Sequence, residues 1–318
     1  MADRRRFLVR FWGVRGSYPT PGPHTLRHGG NTSCVEVQAG EHTLIFDAGS
    51  GIIRLGEELM RRSNGIKQLD LSLFLTHGHS DHLIGFPFFA PLFDARTHLH
   101  LFGPQLAGRG VEQVVTPFVS PPYFPVEGDR LPASRAFYTV TDGQCISWNS
   151  HRQPLITDGL SIRSQGQNGE PRAKDKTALS ADDAEVRVMT LFTHCHPLNG
   201  AVVYRVEHAG RSVVYATDVE WGNGCEGAFL AFIEGADLLI HDAQYTASDY
   251  QHVKHGYGHS TIEMALEAAM AAHVGELILF HHEPTYDDEQ LDQMEAEAQA
   301  RFARTRSAYE GMEIDLLV

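Results

Sequence analysis

Within the stretch 77–82, His77-x-His79-x-Asp81-His82 puts three imidazoles and a carboxylate on one turn containing Gly78, directly after the apolar run 71–75. Unpaired in a protein interior these groups would be costly, whereas a divalent ion of borderline softness takes such nitrogen and oxygen donors readily. An isolated histidine is ordinarily a core or surface residue; a cluster this dense calls for a cation. His77 and His79 alternate along the chain and can face one ion, while Asp81 and His82 come round the turn toward another. Four donors do not fill two coordination shells, so further ligands must arrive from distant sequence. Asp218 ends the segment VVYATD, and its two oxygens suit it to bridge two ions. His196, in FTHCHPLNG, and His281, ending LILFH, are the remaining candidates, with His194 and His282 beside them leaving the local choice open.

Such a site needs a rim on which separate segments end together. Apolar runs at 43–46, 71–75, 213–216, 238–240 and 277–280 each stop at a polar segment: Asp47-Ala48-Gly49-Ser50-Gly51, the histidine cluster, Thr217-Asp218, His241-Asp242 and His281-His282. This is the pattern of strands delivering side chains to a sheet edge. Between them lie helical signals. Residues 52–62 carry Ile53, Leu55, Leu59 and Met60 among charged neighbours. Ser260 with Glu263 forms an S-x-x-E capping signature ahead of Ile262, Ala265, Leu266 and Ala269, and Gly275 follows. The stretch 288–302 opens with acids and sets Leu291, Met294, Ala298 and Phe302 on one stripe. Strands alternating with helices make the fold class α/β.

The 318 residues are 42% hydrophobic and 21% charged, ordinary for a chain that buries a large core, and one domain spanning 1–318 is the expectation. Within it, 119–190 reads as an insertion. Its first part, 119–144, carries Pro121, Pro122, Pro125 and Pro132 with Tyr123, Phe124, Phe137 and Tyr138, an ordered lid or substrate-side segment. Residues 165–186 are polar and read as a surface loop. A net charge of -14 is a poor footprint for gripping long nucleic acid, so a small substrate is favoured and no stable nucleic-acid complex is expected. No apolar run approaches the roughly 20 residues that span a bilayer, and the start of the chain is too polar for a signal-peptide core. Four scattered cysteines, Cys34, Cys145, Cys195 and Cys225, suggest free thiols in a reducing compartment, and the cytoplasm is the expected location.

The order HxHxDH, a downstream histidine, an aspartate closing one strand and a histidine closing another resembles the metallo-β-lactamase superfamily. FWGVRGSYPTPG followed by GGNTSCVEV, AGSG at 48–51, HPLNGAVVYR at 196–205, ATD at 216–218 and GHST at 258–261 are similar to the branch holding tRNA 3'-end-processing ribonucleases and small phosphodiesterases. The resemblance implies a four-layered αβ/βα sandwich with two metal ions, zinc first and manganese second. It implies His77, His79, His196 and Asp218 around one ion and Asp81, His82, Asp218 and His281 around the other. It also makes His259 of the HST segment a catalytic residue acting on the leaving group or a phosphate oxygen, oriented by Asp242, with Asp81 counted beside them. The position of His259 agrees, because it precedes a helix N-terminus, where anions are favoured. Asp47 could brace ligand histidines or merely cap its turn. His241, His252 and His255 read as surface or structural residues first. A homodimer rests on the resemblance alone.

Two divalent ions roughly 3.5–4 Å apart can generate a shared hydroxide near neutral pH and stabilise both oxygens of an in-line displacement. Metal-dependent hydrolysis of small phosphodiesters, cyclic nucleotides or related cyclic phosphates preferred, is therefore the leading expectation. A first rival is tRNA 3'-end processing; it fits less well because the tRNA enzymes carry a protruding arm between the third and fourth motifs, and here His196 and Asp218 lie close in sequence. A second is a thioester or lactone hydrolase on the same metal pair, disfavoured by GHST. A third is a non-catalytic scaffold, disfavoured because every inferred ligand is present.

Overall fold

In the computed structural model, residues 6–148, 153–158, 185–222 and 226–318 are described. Fifteen strands among them form two sheets. The first contains β1 (Phe7–Gly13), β2 (Cys34–Ala39), β3 (His42–Phe46), β4 (Leu69–Phe74), β5 (Thr97–Pro104), β6 (Ser134–Val140) and, at its edge, β15 (Glu313–Asp315), in the order β15-β1-β2-β3-β4-β5-β6. The second contains β7 (Gln144–Trp148), β8 (Leu155–Asp158), β9 (Val186–Thr193), β10 (Ala201–His208), β11 (Arg211–Ala216), β12 (Leu238–Asp242), β13 (Glu276–Phe280) and β14 (Thr305–Ser307), in the order β14-β13-β12-β11-β10-β9-β7-β8.

Parallel neighbours need crossovers, and these supply the outer layers. Helix α1 (Ile52–Arg62) links the parallel pair β3 and β4, and α2 (Val111–Val115) follows β5. Helix α3 (Glu226–Ile233) links β11 to β12; α4 (Ala247–Asp249) and α5 (Ile262–Ala271) lie between β12 and β13, and α6 (Asp288–Arg301) joins β13 to β14. The sheets meet over an aromatic core that includes Phe7, Phe46, Phe74, Trp148, Tyr204 and Tyr215, with Phe74 and Phe102 stacked at 4.6 Å between centroids. Ile52, Leu55 and Leu59 of α1 close a second core over Leu71, Leu73, Leu99 and Leu101. Phe229, Leu266, Leu291 and Met294 close a third over Leu239 and Leu277. Two sheets with helices outside both make the layered αβ/βα sandwich expected from the sequence. Covered on both faces, β12 and β13 carry consecutive apolar residues, 238–240 and 277–280, rather than alternating ones.

Two details differ from the sequence reading. The cap of α5 is Thr261, whose side chain accepts from Met264 N; Ser260 instead donates to Val219 O at 2.5 Å and accepts from Trp221 N at 2.9 Å. Cys34 and Cys145 are free, but Cys195 is disulfide-bonded, against the expectation of four free thiols. Of the stretch 119–190, residues 149–152 and 159–184 lie outside the described set, including most of the polar loop. Its described part holds β6, which extends the first sheet, and β7, β8 and the start of β9, which complete the second. Among the described residues no helix is long and apolar enough to cross a membrane.

Candidate metal and catalytic centre

The parallel strands of both sheets deliver the functional residues at their carboxyl ends, where backbone stops pairing and side chains are free to converge. Asp47 follows β3, His77 follows β4, Asp218 follows β11, Asp242 ends β12 and His281 follows β13. Asp47, Asp218 and His281 hold φ of 61°, 58° and 62°, a left-handed backbone that most side chains avoid. Three such residues at one edge mark a place where local strain is held by the surrounding structure.

Ligand atoms of His77, His79, His196 and Asp218 all lie within 4.8 Å of one another. His196 Nε2 is 3.0 Å from His79 Nδ1, and Asp218 Oδ1 is 3.6 Å from His77 Nε2 and 3.8 Å from His196 Nε2. Asp218 turns its other oxygen to a second group: Oδ2 lies 3.2 Å from His82 Nε2 and 3.4 Å from His281 Nε2. Asp81 Oδ2 completes that group at 3.3 Å from each imidazole nitrogen. The seven expected ligands thus converge as two sets joined by one carboxylate. His194 is exposed against Phe192, and His282 points its Nε2 to Ala308 O, so neither joins.

The donors fit divalent cations. Imidazole nitrogens, buried at His82, His196 and His281 and more open at His79, face one another across distances that only a shared proton or a cation can satisfy, and the buried His77 Nε2 has no hydrogen-bond partner at all. The other ring nitrogens of His82, His77 and His196 are engaged from outside, as those of ligand histidines usually are, whereas His281 Nδ1 has no hydrogen-bond partner. His82 Nδ1 meets Asp47 Oδ2 at 2.8 Å, His77 Nδ1 meets Thr76 Oγ1 at 3.1 Å, and His196 Nδ1 meets Gly258 O at 3.1 Å. Asp47 also accepts from Thr76 N at 2.8 Å and Tyr215 OH at 3.0 Å, so it braces the site rather than a simple turn. Ser17 N donates to Asp81 Oδ2 at 2.8 Å.

Protonation follows burial and charge. Desolvation lowers the pKa of His77, His79 and His196, which keeps their lone pairs available as donors. Burial also opposes the charged form of His82, but Asp218, Asp81 and Asp47 overcome it and raise His82 well above its usual value. For Asp218 and Asp81 burial works upward, yet the neighbouring histidines hold both carboxyls well below the usual range.

His259 adjoins both groups. Its Nδ1 is 2.7 Å from Asp242 Oδ2, and its ring stacks on His281 with centroids 5.0 Å apart. Burial disfavours its charge, but the Asp242 carboxylate, with Asp218 and Asp81, pushes its pKa up to about 9. Asp242 additionally accepts from Asp218 N at 3.0 Å, Ser260 N at 3.1 Å and Gln244 N at 3.2 Å. Asp218, Asp242, His259 and His281 also fall within 4.8 Å as a possible metal set. With Asp242 already saturated by N–H donors, that set reads better as an acid and its support than as a third cation site. His241 packs edge-on to Phe229, His252 bonds Ser248 O, and His255 lies against Tyr250; none enters the cluster.

A cavity of about 550 Å³ opens from His77, His79 and His196 and is walled by Leu106, Arg109, Phe118 and Tyr123. The sequence reading missed Thr76, Tyr215 and Ser17. Thr76 adjoins the cluster, but nothing local marks Tyr215, which comes from the facing sheet, or Ser17, which contributes only its backbone.

The family model for the metallo-beta-lactamase superfamily matches residues 27–249. The chain is similar to ribonuclease Z of Thermoplasma acidophilum, 26% identical over an alignment covering 100% of this chain and 98% of that protein. In fold it is similar to YhfI of Bacillus subtilis, described as a metallo-beta-lactamase fold protein (TM-score 0.64, 20% identity, 98% and 99% covered). It is likewise similar to a diphosphatase of the PhnP family (TM-score 0.61, 16% identity, 97% of each chain). With a family match over more than half its length, a two-sheet sandwich and a His/Asp cluster at the strand ends, the chain belongs to the metallo-beta-lactamase superfamily of metal-dependent hydrolases.

Proposed function

We propose that this hydrolase cleaves small phosphodiesters, preferring cyclic nucleotides or related cyclic phosphates, with zinc before manganese in its two cation sites. The observation that carries the reading is His259 Nδ1 seated on Asp242 Oδ2 at 2.7 Å beside the shared carboxylate Asp218. A proton donor next to paired cation sites suits expulsion of an alkoxide. His77, His79, His196 and Asp218 would hold one ion, and Asp81, His82, Asp218 and His281 the other. Such a pair supplies Lewis-acid polarisation of a phosphoryl oxygen and water activated near neutral pH.

The protein's own groups account for the rest. Asp242 fixes the His259 tautomer and leaves Nε2 to hand a proton to the departing oxygen as the P–O bond breaks. Water supplies the new P–O bond, giving a phosphomonoester and an alcohol. A cavity of about 550 Å³ is in the range of nucleotide-sized ligands. A net charge of -14 argues against a long polyanion, while the local cation sites still attract one phosphate because distant surface charge is screened beyond roughly 8 Å. On this reading the chain works in the cytoplasm as one domain, without membrane or stable nucleic-acid partners, and 119–144 borders its substrate.

A second reading, tRNA 3'-end processing, is favoured by the full-length similarity to a ribonuclease Z. The deciding experiment assays zinc- and manganese-loaded protein on cyclic mononucleotides, cyclic dinucleotides, bis(p-nitrophenyl) phosphate, a thioester, a lactone and pre-tRNA. Fastest turnover on cyclic phosphodiesters is expected; efficient, site-specific pre-tRNA cleavage without cyclic-nucleotide turnover would transfer the assignment to the second reading.

A further inference from the structure

Two residues beyond Asp218, Glu220 is a nearly fully buried carboxylate, 1% exposed. Burying a carboxylate is costly, so its partners indicate what the cost secures. Oε1 accepts from Tyr250 OH at 2.6 Å and Gly256 N at 2.8 Å, and Oε2 accepts from Gly258 N at 3.0 Å. All three donors belong to the segment 250–258, so one side chain fastens the turn that leads into His259.

That turn touches both kinds of functional histidine. Gly258 O meets His196 Nδ1 at 3.1 Å, fixing which His196 nitrogen faces the first metal group. The approach is too close for any side chain: at φ +90° a Cβ on Gly258 would lie 2.3 Å from His196 Nδ1. The next residue is His259, held on Asp242. A shift of the 256–258 backbone would therefore misaim His196 and His259 together.

We infer that Glu220 is a positioning residue that sets His196 for its cation and His259 for proton delivery by pinning the 256–258 turn. The inference rests on the proposed roles of His196 and His259, but its principal test needs no substrate. Glu220→Gln keeps the size of the side chain and one acceptor oxygen while turning an NH2 group toward a backbone N–H. Zinc is titrated into metal-free protein against a fluorescent chelator, with thermal melting in parallel. The expected result is one ion weakened by roughly 10-fold to 100-fold, the scale for losing an outer partner of a ligand histidine. The other ion and the melting temperature should stay near wild type. On bis(p-nitrophenyl) phosphate, kcat should fall while KM holds.

Tyr250→Phe provides an arm that survives if the first variant does not fold. It removes one hydrogen bond to Glu220 and should weaken the same ion by roughly threefold to tenfold, the scale of one such bond. A folded Glu220→Gln protein binding both ions as wild type does would overturn the inference, as would wild-type affinity in Tyr250→Phe should Glu220→Gln fail to fold. Wild-type protein inactive on every phosphodiester would sink the proposed function yet leave the ion-affinity difference standing.

Discussion

The two sides of the cavity are built differently. On the strand side, Asp47, His82, Asp218 and His281 are buried, and each is tied to two or more polar groups from separate strands or loops. On the opposite side, Arg109 and Tyr123 stand in solvent, Tyr123 at 78% exposure, on segments between β5 and β6. Groups that must converge within a few tenths of an ångström sit on sheet ends that cannot move independently. Groups that line only the outer wall of the cavity sit where change costs little fold stability. Under the proposed function, chemistry and selectivity are separable here, and substitutions should divide accordingly.

The largest effect should come from Asp218→Ala, because its two oxygens serve both groups. Elemental analysis should find loss of both ions, and activity should fall by at least about 1,000-fold, since metal stabilisation supplies several kcal/mol at 1.36 kcal/mol per tenfold. His79→Ala should deplete one ion and spare the other. Full occupancy in both variants would reject the ligand assignment and with it the buried side's special role. Next comes His259→Ala, which should keep its metal and lose roughly 100-fold to 10,000-fold in rate, the scale of a positioned acid. Unchanged turnover would remove His259 from the chemistry. Asp47→Asn tests the support behind the ligands. Its carboxylate holds His82 Nδ1, so the ion at Asp81, His82 and His281 should weaken by roughly 10-fold to 100-fold in a chelator titration. An unaltered affinity would reduce Asp47 to a turn residue.

What the sequence disclosed follows the same division. His77, His79, Asp81 and His82 are legible because four donors crowd one turn, and Asp218 and His281 because each ends an apolar run. The α/β class was legible from those runs alternating with helical periodicity, whereas the four-layered sandwich came only through the family resemblance. Bracing contacts were not, because they are long-range. Tyr215 reaches Asp47 across the two sheets, and Gly258 meets His196 only once the 250–258 segment has folded back. The cap of α5 moved by one residue because Ser260, a sound local cap, is claimed instead by Val219 O and Trp221 N. The expectation of an insertion over 119–190 followed from proline and polarity; that β6 pairs with β5 and β7 with β9, each far along the chain, is something local composition does not encode.

The smallest predicted effect lies on the exposed side and gives the sharpest test of the division. Tyr123 lines the cavity, while its exposure leaves it little packing to lose, so Tyr123→Ala should leave the melting temperature unchanged. If the ring offers an aromatic substrate a stacking surface, an aromatic diester loses that contact; at about 1 kcal/mol this raises KM roughly fivefold. A small cyclic phosphate without a ring should be indifferent. Measuring kcat and KM for both substrates separates the cases: a KM change confined to the aromatic diester keeps recognition on the exposed wall. A fall in kcat for both would mean that this wall helps set the reacting groups, and the two sides of the cavity would no longer be independent.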